Sequence, residues 1–141
     1  AKKLNNFSFT IVGFSKKIIL EIDKPKNLTL IEKLNSNQLV KLYSNNYYYY
    51  QGSIIEGLPN VLCEAMLCEC IPIGNSVFGI SDAIGNTGFI FKGFKEIDKV
   101  KDFLESKIVL NGKNARERIK TKYPLSKRVY RFNNLLSETE L

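Results

Sequence analysis

The apolar positions along this chain change period several times. "FSFTIVG" alternates and stops at Gly13, which predicts a buried strand over 7–12. "SKKIILEIDKPKN" fits a short helix and a strand equally, and Pro25 and Asn27 break it. "LTLI" (28–31) reads as a short strand. In "NSNQLVKLYSNN", Ser36 is the candidate N-cap and Leu39, Leu42 and Tyr43 form one apolar face, which predicts a helix over 37–44. Consecutive tyrosines at 47–50 suit a central strand better than a helix. Pro59, well suited to the first helical position, then opens an almost wholly apolar run from Asn60 to about Cys68. "IPIG" (71–74) and "GFIF" (88–91) read as further short buried strands. Beyond them Phe94, Ile97, Val100, Phe103 and Leu104 recur at helical spacing, and two more helices follow, split by Pro124.

Short buried strands alternating with helices imply an α/β fold, a parallel sheet with helices on both faces. The length, 141 residues, suits one domain, ending in amphipathic helices over about 94–137. In such sheets ligands bind beyond the carboxyl ends of the strands, where loops lead into helix N-termini. "EGLPNVLCE", Glu56 to Glu64, is such a junction.

Charge and cysteine usage narrow the classes. The formal net charge is +7, but the lysines are scattered and no RNA- or DNA-binding motif is present, so no nucleic-acid partner is expected. No apolar run reaches the roughly eighteen residues of a membrane span. Cys63, Cys68 and Cys70 cluster, but the chain has no His to complete a zinc site, and the thiols read as structural in a reducing compartment.

Physical chemistry gives the Glu56–Glu64 stretch a defined character. The first amides of a helix are unpaired and sit at the positive end of its dipole, so Asn60 and Val61 would face an anion such as phosphate. Gly57 lets backbone approach a ligand. Glu64 lies one turn further on the same face and leans back toward the helix start, where it could accept hydrogen bonds from a diol such as a ribose. Spacing alone leaves Glu64 open between that role and a satisfied structural acid, and Glu56 reads first as a partner of the helix dipole.

"SIIEGLPNVLCEAMLCECIPIGNSVFGISDAIGNTGFIF" resembles the donor-binding signature of the retaining GT-B glycosyltransferases of family four, group 1. That signature runs Ser-x-x-Glu-Gly-x-Pro, then a helix with Glu-Ala-Met, a Pro-Val-like strand, a Gly-Gly loop, an acidic residue and a Gly-Phe strand. "LNSNQLVKLYSNNYYYYQGS" and "NGKNARERIKTKYPLSKRVYRF" are similar to its lead-in and its C-terminal helices, so the likeness covers nearly the whole chain.

The resemblance implies transfer of a sugar from a nucleotide-sugar, such as a UDP- or GDP-sugar, to an acceptor glycan or glycolipid, with retained configuration and no metal or cofactor. Carried over by position, Glu56 contacts the donor sugar as the catalytic residue. Glu64 holds the ribose. Gly57, Leu58, Pro59, Asn60 and Val61 give backbone contacts to sugar and diphosphate, and Lys33 and Leu34 flank the base. The chain departs from the pattern at Glu32 and Glu69, where the family has Gly, at Phe78-Gly79 in place of Gly-Gly, and at Asp82 in place of Glu. The resemblance further implies the C-terminal half of a GT-B fold lacking its first strand-helix unit. The family's phosphate-gripping Arg and Lys and its acceptor-facing N-terminal domain would lie upstream, and the chain would be inactive alone. The Lys-, Asn- and Ile-rich composition suggests a bacterial source, and with it a cytoplasmic setting in polysaccharide or glycolipid assembly at the inner face of the membrane. Arg116, Arg118, Lys120, Lys122, Lys127 and Arg128 would favour peripheral contact with that surface. The competing expectation is a non-catalytic α/β interaction module derived from a transferase fold.

Overall fold

A computed structural model describes residues 1–106 and 108–138; the side chains at 128, 131, 132 and 135–138 fall outside that description. The chain divides into two compact units, residues 1–42 and 43–141.

The first unit holds β1 (Phe9–Val12), α1 (Lys16–Glu21) and β2 (Leu28–Ile31), with the strands parallel and Phe9 opposite Leu28. The ambiguous stretch after Gly13 is thus a helix, and Ser15 caps it by accepting from the Ile18 N–H at 3.5 Å. Asn27 stops the chain beyond it and also holds the N-terminal segment. Its amide donates to the carbonyls of Leu4 and Phe7, both at 2.9 Å.

Helix α2 (Ser36–Ser44) spans the division between the units. Its cap is Asn35 and not Ser36. The Asn35 side chain accepts from the Gln38 N–H at 3.0 Å, and Gln38 reaches back to the Asn35 N–H at 2.9 Å. This reciprocal box satisfies two terminal donors at once, which a lone serine cannot do.

The second unit runs β3 (Tyr48–Gln51), α3 (Asn60–Leu67), β4 (Ile71–Asn75), α4 (Phe78–Ile84), β5 (Phe89–Phe91), a 3₁₀ turn (Phe94–Glu96), α5 (Ile97–Glu105), α6 (Gly112–Lys122) and α7 (Leu125–Glu138). Its sheet has the order β3-β4-β5, all parallel, with Tyr50 opposite Ile73 and Ile73 opposite Phe89. β4 is central and buried along its whole length. Successive side chains of a strand point to opposite faces, so β4 needs cover on both. One cover is the cluster of Leu62, Met66, Ile80, Ala83, Ile84, Ala115 and Ile119, drawn from α3, α4 and α6. The other is Ile73, Phe91 and Val100, with Phe103 stacked on Phe89 at 4.6 Å. Burying each large member of these clusters contributes about 1.5–3 kcal/mol.

Two expectations about this unit change. Pro59 is the N-cap of α3 (φ −72°, ψ 121°) and not its first helical residue; its carbonyl accepts from Leu62 and Cys63. Phe94 does not join the apolar face of the following helix. The 3₁₀ turn takes it out of register, leaving it 67% exposed while Val100 is buried. Helix α4 was not anticipated: seven residues hold too few turns for a helical period to stand out.

Helix α3 ends where the family pattern has Gly. The Cys70 N–H donates to the Ala65 carbonyl and the Glu69 N–H to that of Met66, both at 3.0 Å. This is a Schellman stop with Glu69 (φ +69°) in the left-handed position usually taken by glycine. Cys70 is buried just beyond, its thiol donating to the Tyr43 carbonyl at 3.2 Å and its pKa pushed up to about 11, mainly by burial. It is a structural thiol.

Candidate functional site

The loop from Gly52 to Pro59 leaves the carboxyl end of β3 and enters α3. It is held at both ends. Asn75, buried at the end of β4, donates from its side-chain amide to the Ser53 carbonyl at 3.0 Å and accepts from the Gly93 N–H at 2.8 Å. One side chain therefore ties together the loops that follow β3 and β5. At its tip the loop rests on α4. A β-carbon on Gly79 would overlap the Gly57 carbonyl oxygen and lie 2.8 Å from the Leu58 Cα, so only glycine permits this approach.

Glu56 is half-buried at the end of a hydrogen-bond relay. The Tyr49 hydroxyl donates to the Gln51 side-chain oxygen at 2.7 Å, the Gln51 amide donates to Ser53 Oγ at 2.7 Å, and the Ser53 hydroxyl donates to a Glu56 carboxylate oxygen at 3.3 Å. Every donor points the same way, from half-buried phenol to carboxylate. The Tyr49 pKa is raised far above the usual range, first by burial, then by the charges of Tyr43, Glu64, Cys70 and Glu56. Glu56 and Glu64 thus lie within electrostatic reach of one phenol, from a loop and a helix respectively.

Glu64 is exposed on α3, and its carboxylate has no hydrogen-bond or ion-pair partner among the described residues. The amides of Asn60 and Val61 likewise make no hydrogen bond among the described residues; the first intrahelical donors are Leu62 and Cys63. Leu58 and Val61 are exposed, at 40% and 41%, and Pro59 is buried. The structure so brings together Glu56, Gly57, Leu58, Pro59, Asn60, Val61 and Glu64 around the start of α3. Lys33 and Leu34 belong to the first unit, just after β2, with Lys33 exposed and Leu34 half-buried. Tyr49, Gln51 and Asn75 were missed by the sequence reading. Asn75 had a signal, a polar residue closing an apolar strand.

Asp82 has a different role from Glu64. Lys122 and the Tyr123 hydroxyl (2.6 Å) both donate to its carboxylate, and these hydrogen bonds lower its pKa, Lys122 foremost. Three other cations of α6 are also engaged. Arg116 donates to the Leu67 carbonyl at 2.9 Å and Arg118 to those of Ala83 (2.6 Å) and Asp82 (2.8 Å), while Lys120 pairs with Glu117 at 2.8 Å. Arg116 and Arg118 therefore satisfy the ends of α3 and α4, where cations complement the helix dipole. The side chain of Arg128 lies outside the described residues. Among the described residues no group of His, Cys, Asp and Glu could hold a metal ion, and no helix is long and apolar enough to cross a membrane.

Residues 1–123 match the family described as glycosyl transferases group 1. The chain belongs to that family. It is 40% identical over 92 residues to a trehalose synthase of Thermococcus litoralis, an alignment covering 62% of this chain and 22% of the relative. It is 29% identical over 109 residues to the N-acetylgalactosamine-N,N'-diacetylbacillosaminyl-diphospho-undecaprenol 4-alpha-N-acetylgalactosaminyltransferase of Campylobacter jejuni, covering 60% of this chain and 30% of that one. Among solved structures TarM superposes with a TM-score of 0.70 over 95% of this chain and 29% of its own, at 22% identity. The chain spans less than a third of the length of these relatives. The likeness to TarM bears out the expected fold, a Rossmann-like half of the GT-B architecture with parallel strands between helices.

Proposed function

We propose that this chain supplies the nucleotide-sugar-binding half of a retaining glycosyltransferase. The observation that carries the reading is the contrast between two carboxylates at one helix start. Glu56 is oriented by a hydrogen-bond relay, while Glu64 and the amides of Asn60 and Val61 have no partner among the described residues. Unpaired amides suit a diphosphate, and a free carboxylate one turn along suits a ribose diol. Glu56, held beside them, would face the donor sugar. The helix end would stabilise charge as it builds on the leaving diphosphate, which needs no metal. The acceptor is a glycan or glycolipid; the name of the Campylobacter relative, which specifies a diphospho-undecaprenol-linked substrate, supports the latter.

Titration of the full-length protein with UDP, GDP and ADP, by calorimetry, tests this. Glu64→Ala is expected to weaken the preferred diphosphate by about 1–3 kcal/mol, the cost of lost hydrogen bonds to a charged group. Protein that binds neither UDP, GDP nor ADP would favour the non-catalytic module instead. Anomeric analysis of the product by NMR tests retention, and unchanged rates in EDTA test metal independence.

A further inference from the structure

We propose that Phe78 is a carbohydrate platform, its ring offered to the apolar C–H face of a pyranose bound beside the Glu56 loop. The inference deepens the proposed function and rests on it.

Two non-glycine residues among those described have positive φ, Glu69 at +69° and Phe78 at +27°. The first is explained by the Schellman stop. The second has no such use in the fold. The conformation disfavours any side chain with a β-carbon, and a ring left 82% exposed gains little from burial. Phe78 also has no aromatic partner among the described residues, although five ring pairs occur elsewhere. Its neighbours are fully employed. Val77 packs against the core cluster, Ile80 is wholly buried, and Gly79 is pressed on the Gly57 backbone. That last contact fixes Phe78 one residue from the loop that carries Glu56, at the carboxyl end of the central strand. Strain retained without benefit to folding, at the rim of a site, points to ligand contact.

The ring also suits the ligand class. An aromatic face is electron-rich, and the axial C–H groups of a hexopyranose form a weakly positive apolar surface of matching size. Such a contact discriminates among sugars by which face is free of axial hydroxyls. It makes Phe78 a specificity-determining residue, with a sugar of either donor or acceptor as its guest.

The test uses the full-length protein with Phe78→Gly, Phe78→Leu and Phe78→Tyr. Donor binding is screened with UDP-glucose, UDP-N-acetylgalactosamine, GDP-mannose and ADP-glucose against the corresponding diphosphates. Phe78→Gly is expected to raise Tm, to leave diphosphate affinity unchanged, and to weaken the sugar substrate by about two- to tenfold. Phe78→Leu, apolar but without a ring face, should lose as much, and Phe78→Tyr should keep wild-type behaviour. A change confined to the donor KM assigns the pyranose to the donor, and one confined to the acceptor KM assigns it to the acceptor. Both KM values unchanged in an active Phe78→Leu enzyme would overturn the inference and leave the proposed function standing. Wild-type protein that binds no diphosphate and transfers no sugar would overturn both.

Discussion

Gly79 lies so close to Gly57 that no β-carbon fits between its Cα and the Gly57 carbonyl. The loop bearing Glu56 is thereby supported by the first turn of α4, and the two glycines make opposite predictions. Gly79→Ala must push the loop or the helix aside, at about 1–3 kcal/mol of stability. Displacing Glu56 by even 1 Å is expected to cost on the order of 100-fold in kcat/KM. A β-carbon on Gly57 itself would meet open space, so Gly57→Ala should leave the melting temperature unchanged while reducing donor affinity. Thermal melts alongside steady-state kinetics separate the two.

The relay into Glu56 is tested at its middle member. Gln51→Leu keeps the volume but leaves the half-buried Tyr49 hydroxyl and Ser53 without their shared partner. A stability loss of about 1–3 kcal/mol is expected, together with a lower kcat at unchanged donor KM. Tyr49→Phe removes the relay's origin and leaves the Gln51–Ser53–Glu56 bonds in place. It should be milder in kcat, and a Tyr49→Phe variant as slow as Gln51→Leu would show that the phenol itself acts.

Glu69→Gly should stabilise the protein. It relieves a left-handed conformation that costs a side chain about 1–2 kcal/mol. It also gives up an exposed ion pair with Arg116 at 3.8 Å, which is worth about 0–1 kcal/mol. A net gain of about 0.5–1 kcal/mol would raise Tm by roughly 1–4 °C for a chain of this size.

Asp82 should contribute to acid sensitivity. Its folded-state pKa is lowered, chiefly by the Lys122 hydrogen bond and then by that of Tyr123. A depressed carboxylate gives stability that is present above its unfolded pKa, about 3.9, and is lost as pH falls through the folded value. Urea midpoints of wild type and Asp82→Asn should therefore differ at neutral pH and converge in acid below about pH 4. Curves that stay parallel into strong acid would show that the carboxylate charge contributes nothing.

Much of this architecture was legible from local pattern. The strand at 28–31 is found with those ends, β3, β4, β5 and α3 fall within a residue or two of their expected positions, and α6 and α7 lie on either side of Pro124. The misses share a physical cause: they depend on contacts that period and propensity do not encode. Asn35 displaces Ser36 as the cap because Gln38 answers it, and Phe94 leaves its helix because Glu96 accepts from the Lys92 N–H at 2.8 Å and tightens the turn. At the site, the residues from Glu56 to Glu64 are contiguous, so the sequence alone places them at one strand-to-helix junction. The roles of Tyr49 and Gln51 were not legible, since a strand pattern does not show which side chains bond along it, and the partners of Asn75 exist only once three strand ends are brought side by side.

Arg116 and Arg118 stand two positions apart on α6 and hold the far ends of α3 and α4, the two helices whose near ends border the site. With a rise of about 1.5 Å per residue, α3 sets that anchor roughly 12 Å behind its own first turn. The stiffness of the binding edge is therefore governed from its back. Amide hydrogen exchange in α3 and α4 should rise and fall with that of α6, the three helices opening as one cooperative unit.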